Sequence, residues 1–164
     1  MDYTFLYKKG WTEHHKNKFK AKIIDKINES LGVPIYFNDI DLKNYAGRYV
    51  NKRYDGETLY KNDKAFCIGL KWQTDRIENN NINRLFILFH ELGHYYLHPT
   101  FNTGKSHEEE ETEADTFADI IMGTLCGCDY DQYLTLSRYT EKKVNYEKIN
   151  NIACSILRKI KDVL

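Results

Sequence analysis

Apolar side chains recur every three or four residues in several segments of the chain, and this spacing predicts amphipathic helices. The first predicted helix spans residues 12–31 and ends at Gly32, a residue type that tolerates the left-handed conformation common after helices. Two more helices are predicted near the end of the chain, at residues 129–140 and 145–163. The apolar face of the last one most simply packs a core, and a dimer-forming helix is the alternative.

Short runs of β-branched and aromatic residues follow the first helix and predict strands. Asp55-Gly56 and Asn62-Asp63 are turn signals between these runs. The last run is the most apolar of the set. Together the runs predict a small antiparallel meander. They lie at residues 33–37, 48–54, 58–60 and 65–70.

A run of large apolar residues, after a polar linker at residues 77–83, predicts a buried helix over residues 85–98. This helix carries the pattern HExxH, with His90 and His94 four residues apart. Residues at that spacing lie about 40° apart around a helix and roughly 6 Å apart along it, so both imidazoles can reach one zinc ion. Glu91 would point to the side of that ion and take a proton from its bound water. The alternative is a buried histidine cluster without a metal, which would be costly to desolvate.

A third ligand has to come from outside this helix. His98 follows His94 by four residues, but it lies roughly 12 Å along a straight helix from His90. That distance is too long for one zinc ion whose bonds are about 2 Å. We therefore predict that His98 lies at the helix end or in the wall of a cleft, and is not a ligand.

A second helix is predicted to begin after Ser106, where the sequence has a capping-box pattern. Glu111 and Asp115 share one face of this helix with small side chains, which would let it approach the first helix at Gly93. Glu111 is the predicted third ligand, and Asp115 would accept a hydrogen bond from a metal-bound imidazole. The alternative for an acidic run is a solvated face, and this is the prediction for residues 108–110.

Length and composition set the class of the protein. The 164 residues suit one domain over residues 1–164, with an α+β fold of helices and a small antiparallel sheet. The 24 basic and 24 acidic side chains balance, which gives no general attraction to nucleic acid. No apolar run predicts a membrane span or a signal peptide. The four cysteines are scattered, which indicates reduced thiols and a cytoplasmic protein.

Two stretches, HELGHYYLHP and the later ETEADTFAD, closely resemble the motifs of the ImmA/IrrE family of HExxH metallopeptidases. By position, the resemblance implies that zinc binds His90, His94 and Glu111, and that Glu91 is catalytic. Asp115 stands where the family usually has asparagine. The resemblance also implies a zinc-dependent endopeptidase whose substrate is a helix-turn-helix repressor of a phage or mobile element. No DNA-reading helix pair is evident in this sequence, so the repressor would be a separate protein.

Two other classes of function remain alternatives. A zinc-retaining binding protein, acting as an anti-repressor, would inactivate its partner without cleavage and would not need Glu91. A zinc hydrolase or toxin would use the same scaffold on a different substrate. For an enzyme, several tyrosines and His98 are candidates for the donor that stabilises the oxyanion.

Overall fold

The computed structural model describes residues 21–37, 56–70, 81–126 and 144–160. Within these residues the chain has an α+β architecture of four helices and one three-stranded sheet. The predicted strand at residues 48–54, the predicted helix at residues 129–140 and the first part of the helix predicted at residues 12–31 lie outside the described residues.

The helices are α1 (residues 21–31), α2 (Asn81–Leu97), α3 (His107–Cys126) and α4 (Tyr146–Ile160). The last turn of α1, Ile27–Leu31, is a π-helix. It ends at Gly32, whose φ of 65° is the left-handed conformation that the sequence predicted there.

Side-chain caps fix the starts of α3 and α4. The backbone N–H of Glu109 donates to Ser106 Oγ at 3.2 Å, which confirms the predicted start of α3. The backbone N–H of Lys148 likewise donates to Asn145 Oδ1 at 3.1 Å. In contrast, α2 begins at Asn81, so the last part of the polar linker predicted at residues 77–83 is helical. Asparagine in a helix costs less than about 1 kcal/mol relative to alanine, so its presence does not prevent a helix from starting here.

The sheet contains β1 (Ile35–Phe37), β2 (Gly56–Lys61) and β3 (Lys64–Leu70), in the order β1-β3-β2. β2 and β3 form an antiparallel hairpin. Its two turn residues, Asn62 and Asp63, have φ values of 53° and 64°. Positive φ at both central residues is typical of the tight turn that this sequence pattern predicts.

The expectation of a purely antiparallel meander is wrong, because β1 pairs with β3 in parallel and the sheet is mixed. In a meander β2 would be the middle strand. Here β3 is in the middle, with Cys67, Ile68 and Leu70 all 0% exposed. A middle strand is covered on both faces and paired on both edges, so the most apolar strand is favoured there. β1 and β3 therefore run in the same direction, and β2 runs opposite to both.

α2 lies between α3 and the sheet, and this position places one helix at the centre of the molecule. Its buried residues Leu88, Phe89 and Leu92 join a core to which all four helices, β1 and β3 contribute. Leu59 and Cys67 form a separate buried cluster with Tyr36 and Phe66. None of the helices in the described residues has the length and apolar character needed to cross a membrane.

Candidate metal centre

α2 and α3 make a close contact at Gly93. A Cβ atom added there would lie 3.1 Å from Ala114 Cα and 3.1 Å from Phe117 Cβ. The helix backbones can therefore lie this close only because Gly93 has no side chain. This contact is the one predicted from the small residues on the acidic helix. It brings the Glu111 side of α3 to the histidines of α2.

His90, His94 and Glu111 converge between the two helices. One potential ligand atom from each lies within 4.8 Å of the others. The two Nε2 atoms are 3.2 Å apart. Glu111 Oε1 lies 3.0 Å from His94 Nε2, and Glu111 Oε2 lies 3.1 Å from His90 Nε2. Donor atoms at two corners of a tetrahedron around zinc, with bonds near 2.0–2.1 Å, would be about 3.3 Å apart. The spacing is therefore compatible with a single metal ion.

Asp115 lies behind His90, one helical turn after Glu111. Its Oδ1 atom is 2.7 Å from His90 Nδ1. A carboxylate at that distance accepts the Nδ1 hydrogen, so Nε2, the atom that faces Glu111, is the nitrogen that could bind a metal after losing its own proton. The sequence predicted that Asp115 would lie within hydrogen-bonding distance of one of the two histidines, and that histidine is His90. Such a carboxylate also fixes the orientation of the ring.

The electrostatics of the cluster favour a cation. Burial opposes protonation of His90, but hydrogen bonds to Asp115 and Glu111 outweigh it and raise its pKa to about 10. Hydrogen bonds from His90 and His94 hold the pKa of Glu111 well below its usual range, against the effect of burial. Both histidine side chains are 12% exposed and Glu111 is 41% exposed, so the cluster is open to solvent on the Glu111 side. A divalent cation could replace the proton on His90 as the positive charge.

Glu91 is on the sheet side of α2 and is 7% exposed. The Thr58 hydroxyl lies 2.8 Å from Glu91 Oε2 and 2.8 Å from the Glu91 backbone oxygen. Thr58 belongs to β2, two residues after Gly56 on the same face. A Cβ atom on Gly56 would lie 3.1 Å from Glu91 Cγ and 2.8 Å from Ile87 Cγ2. β2 therefore holds Glu91 through one close backbone contact and one hydroxyl.

His98 directly follows α2 and is 1% exposed. The prediction of a helix-end position is confirmed, and the side chain is buried beneath the surface. Its Nδ1 atom is 2.9 Å from His94 Nδ1, and its Nε2 atom is 3.4 Å from Glu113 Oε1. Glu113 also accepts hydrogen bonds from Lys105 Nζ at 2.9 Å to both oxygens. Burial raises the pKa of Glu113, but hydrogen bonds from His98 and Lys105 give a net lowering.

Sequence reasoning missed the parts played by Thr58 and Glu113. Thr58 carried no signal, because its partner is 33 residues away and the strand pairing was unknown. Glu113 belongs to an acidic run that usually indicates a solvated face. That interpretation holds for Glu108 and Glu109, which are exposed. His98 did carry a signal, since a histidine four residues after His94 can lie beside it at the helix end.

In the described residues, then, one cluster has the geometry of a metal site: His90, His94 and Glu111. Asp115 contacts His90 at 2.7 Å, and the charge of Glu91 acts on His90. Two nitrogen donors and one carboxylate leave room for a further ligand on a four-coordinate ion. Comparisons of the chain with protein-family models, with curated proteins and with solved structures found no match.

Proposed function

We propose that this protein is a zinc-dependent endopeptidase. The observation that carries the proposal is the convergence of His90 Nε2, His94 Nε2 and the Glu111 carboxylate at distances of 3.0–3.2 Å, with the buried carboxylate of Glu91 next to His90 in the chain. Three protein ligands, two of them histidines, with a fourth position open are typical of catalytic zinc sites. A carboxylate next to the first ligand in HExxH is the usual base of metalloproteases.

His90, His94 and Glu111 would hold the ion. Imidazole and carboxylate suit zinc, and a site without cysteine thiolates is more typical of catalytic than of structural zinc. When bound, zinc would lower the pKa of its water and polarise the scissile carbonyl. Asp115 would keep the Nε2 lone pair of His90 directed at the ion by accepting the Nδ1 hydrogen at 2.7 Å.

Glu91 would perform the proton transfers. It accepts a proton from the attacking water and later passes it to the leaving nitrogen of the cleaved peptide. Thr58 supports this role, because its hydroxyl can donate to Glu91 Oε2 at 2.8 Å and restrict the carboxylate to one orientation. The burial of both residues removes competing water from this contact.

An extended peptide is the substrate form that fits this arrangement. Among the described strands, β2 is at one edge of the sheet, and it lies against the helix that carries Glu91. Edge strands can bind an extended segment by adding it to the sheet. The resemblance to ImmA/IrrE proteins supports a separate helix-turn-helix repressor of a phage or mobile element as the substrate. The protein would then relieve repression in the cytoplasm by cleavage, without contacting nucleic acid itself.

The test is cleavage of a mixed peptide library by the zinc-loaded protein, read by mass spectrometry. The matched control is Glu91→Gln, which keeps the size of the side chain and its contact with Thr58 but removes the carboxylate. General base catalysis contributes about 10²–10⁴-fold, so the variant should lose nearly all cleavage while keeping its zinc. Removal of zinc by a chelator should have the same effect on wild type.

Other results would replace the proposal. Wild type that binds zinc but cuts no peptide and no co-expressed repressor, while still relieving repression, would favour the zinc-retaining binding protein. Selective hydrolysis of a non-peptide substrate would favour the zinc hydrolase or toxin. Equal cleavage by wild type and Glu91→Gln would remove Glu91 from the mechanism.

A further inference from the structure

A row of buried polar side chains leads from His94 away from the three candidate ligand atoms. His98 is the next member, with 2.9 Å between the two Nδ1 atoms. Glu113 follows at 3.4 Å from His98 Nε2, and Lys105 ends the row with two contacts of 2.9 Å to Glu113. The His98 side chain is 2% exposed and that of Glu113 is 11% exposed, whereas that of Lys105 is 39% exposed. The row therefore runs from the candidate metal centre to the surface.

With both imidazole rings neutral, one arrangement of hydrogens satisfies the contacts of this row. The ionised carboxylate of Glu113 can only accept, so the hydrogen of the His98 ring has to be on Nε2. That leaves a lone pair on His98 Nδ1, which can accept a hydrogen from His94 Nδ1 at 2.9 Å. His94 then carries a hydrogen on Nδ1, and its Nε2, which faces His90 and Glu111, would give up its hydrogen bond to Glu111 when it binds a metal ion. In this arrangement Glu113, acting through His98, determines which nitrogen of His94 keeps its hydrogen.

The backbone of His98 is also held at both of its polar groups. Its N–H donates to the His94 carbonyl oxygen at 2.8 Å, which continues the pattern of α2 by one residue. Its carbonyl oxygen accepts a hydrogen bond from the Tyr60 hydroxyl at 2.8 Å, and Tyr60 lies on β2. The ring is therefore placed by α2, by the sheet and by α3. An apolar side chain would fill this buried position at lower desolvation cost, so a buried imidazole here indicates a role in hydrogen bonding rather than in packing alone.

We propose that His98 is a positioning residue that fixes the tautomer and ring orientation of His94 for metal binding, and that Glu113, held by Lys105, fixes His98 in turn. This inference rests on the proposed metal site. His90 has the direct form of the same arrangement, because its Nδ1 hydrogen goes to Asp115 with no intervening ring. Partners of this kind typically change metal affinity or activity by about 10–100-fold when removed.

The experiment compares two substitutions of His98 that separate hydrogen bonding from space filling. Asparagine places its side-chain oxygen close to the position of Nδ1 and can still accept from His94, but it leaves part of the ring volume empty. Leucine fills the volume and cannot accept. Zinc affinity is measured by competition with a chromophoric chelator, and the ligand geometry is followed in the visible absorption of the cobalt-substituted proteins. Thermal unfolding of each metal-free protein shows how far the substitution affects the fold.

We expect His98→Leu to bind zinc about 10–100-fold more weakly than wild type and to change the cobalt spectrum, while His98→Asn stays close to wild type in both. A space-filling role predicts the opposite order, with leucine closer to wild type than asparagine, and that order would overturn the inference. His107→Asn is the matched control, because His107 is an exposed histidine at the start of α3. Its affinity should be unchanged.

Two further results separate this inference from the proposed function. If wild type binds no zinc, the metal site itself fails and His98 has no ligand to position. If wild type binds zinc and both His98 variants bind it equally well, only the positioning role fails. Should both variants fail to fold, Glu113→Leu decides, because it removes every acceptor for the His98 Nε2 hydrogen while keeping a side chain of similar size. Weaker zinc binding is expected there, and unchanged binding would overturn the inference.

Discussion

Gly93 makes the contact between α2 and α3 possible, and Gly93→Ala tests whether that contact also sets the geometry of the candidate metal centre. The added Cβ atom would meet Ala114 Cα at 3.1 Å, Phe117 Cβ at 3.1 Å and the Ala114 carbonyl oxygen at 3.2 Å. Ordinary carbon–carbon contacts are about 3.5–4.0 Å long, so the helices would have to separate by roughly 0.5 Å. Two of the three atoms belong to the backbone and cannot move by rotation of a side chain.

The net effect on folding combines two opposing contributions. Replacing glycine by alanine inside a helix stabilises it by about 1 kcal/mol, whereas overpacking a close contact costs about 1–3 kcal/mol. We therefore expect the metal-free variant to lose about 0–2 kcal/mol in free energy of unfolding. The effect on zinc should be clearer. Ligand distances in zinc sites vary by only about 0.2 Å, so a shift of Glu111 relative to His90 and His94 should weaken binding by about tenfold or more.

The assay is urea unfolding of the metal-free protein together with zinc affinity by chelator competition. Asn151→Ala, at an exposed position of α4, is the control for a pure gain in helix propensity. Adding Ala114→Gly to Gly93→Ala should not restore affinity, because the Ala114 atoms in contact are Cα and the carbonyl oxygen. A Gly93→Ala protein that is more stable than wild type and binds zinc equally well would show that the helices can separate without consequence for the site.

Three other changes have expected outcomes. The Asp115→Ala protein should fold but lose about 10–100-fold in zinc affinity or activity, because His90 Nδ1 loses its hydrogen-bond acceptor. An unchanged zinc affinity, measured by chelator competition, would contradict this. Thr58→Val should lower kcat by about 10–100-fold and leave zinc affinity unchanged, because the hydrogen bond to the Glu91 carboxylate is lost and such a bond contributes about 1.5–3 kcal/mol. Thr58→Ser keeps the hydroxyl and should keep most of the rate. Zinc affinity should rise about tenfold per pH unit between pH 7 and 9, because His90, with its pKa raised to about 10, must release one proton before it can bind the metal. Glu111 is already ionised in this range, so it adds no pH dependence, and a pH-independent affinity would be inconsistent with the raised pKa of His90.

The features that the sequence predicted well depend on residues close together in the chain. A four-residue spacing places His90 beside His94 on any helix, and Ser106, Asn145 and Gly32 fix helix ends through local hydrogen bonds or backbone conformation. The approach of α3 at Gly93 was also predictable, since small residues on one helix face allow a close contact. That the cluster binds a metal ion, and that this ion is zinc, stays a prediction.

The features that the sequence did not predict depend on contacts between distant segments. The parallel pairing of β1 with β3 follows from which strand takes the middle of the sheet, and short apolar runs leave that order undetermined. Thr58 meets Glu91 only because β2 lies along α2. Glu113 looks like part of a solvated acidic run until the loop carrying Lys105 and the end of α2 bring His98 beside it.

The measurement that tests the central claim most directly is the zinc stoichiometry of the metal-free protein, determined by titration and native mass spectrometry for wild type and Glu111→Ala. Glu111 contacts both histidine Nε2 atoms, at 3.0 and 3.1 Å. Among the described residues of α3, it is the one that would bind the proposed ion together with the histidines of the HExxH helix. Glu109→Ala, at an exposed position of the same helix, is the matched control. We predict one zinc per chain for wild type and Glu109→Ala, and much weaker binding for Glu111→Ala. Undiminished binding by Glu111→Ala, or none by wild type, would contradict the assignment of the metal centre.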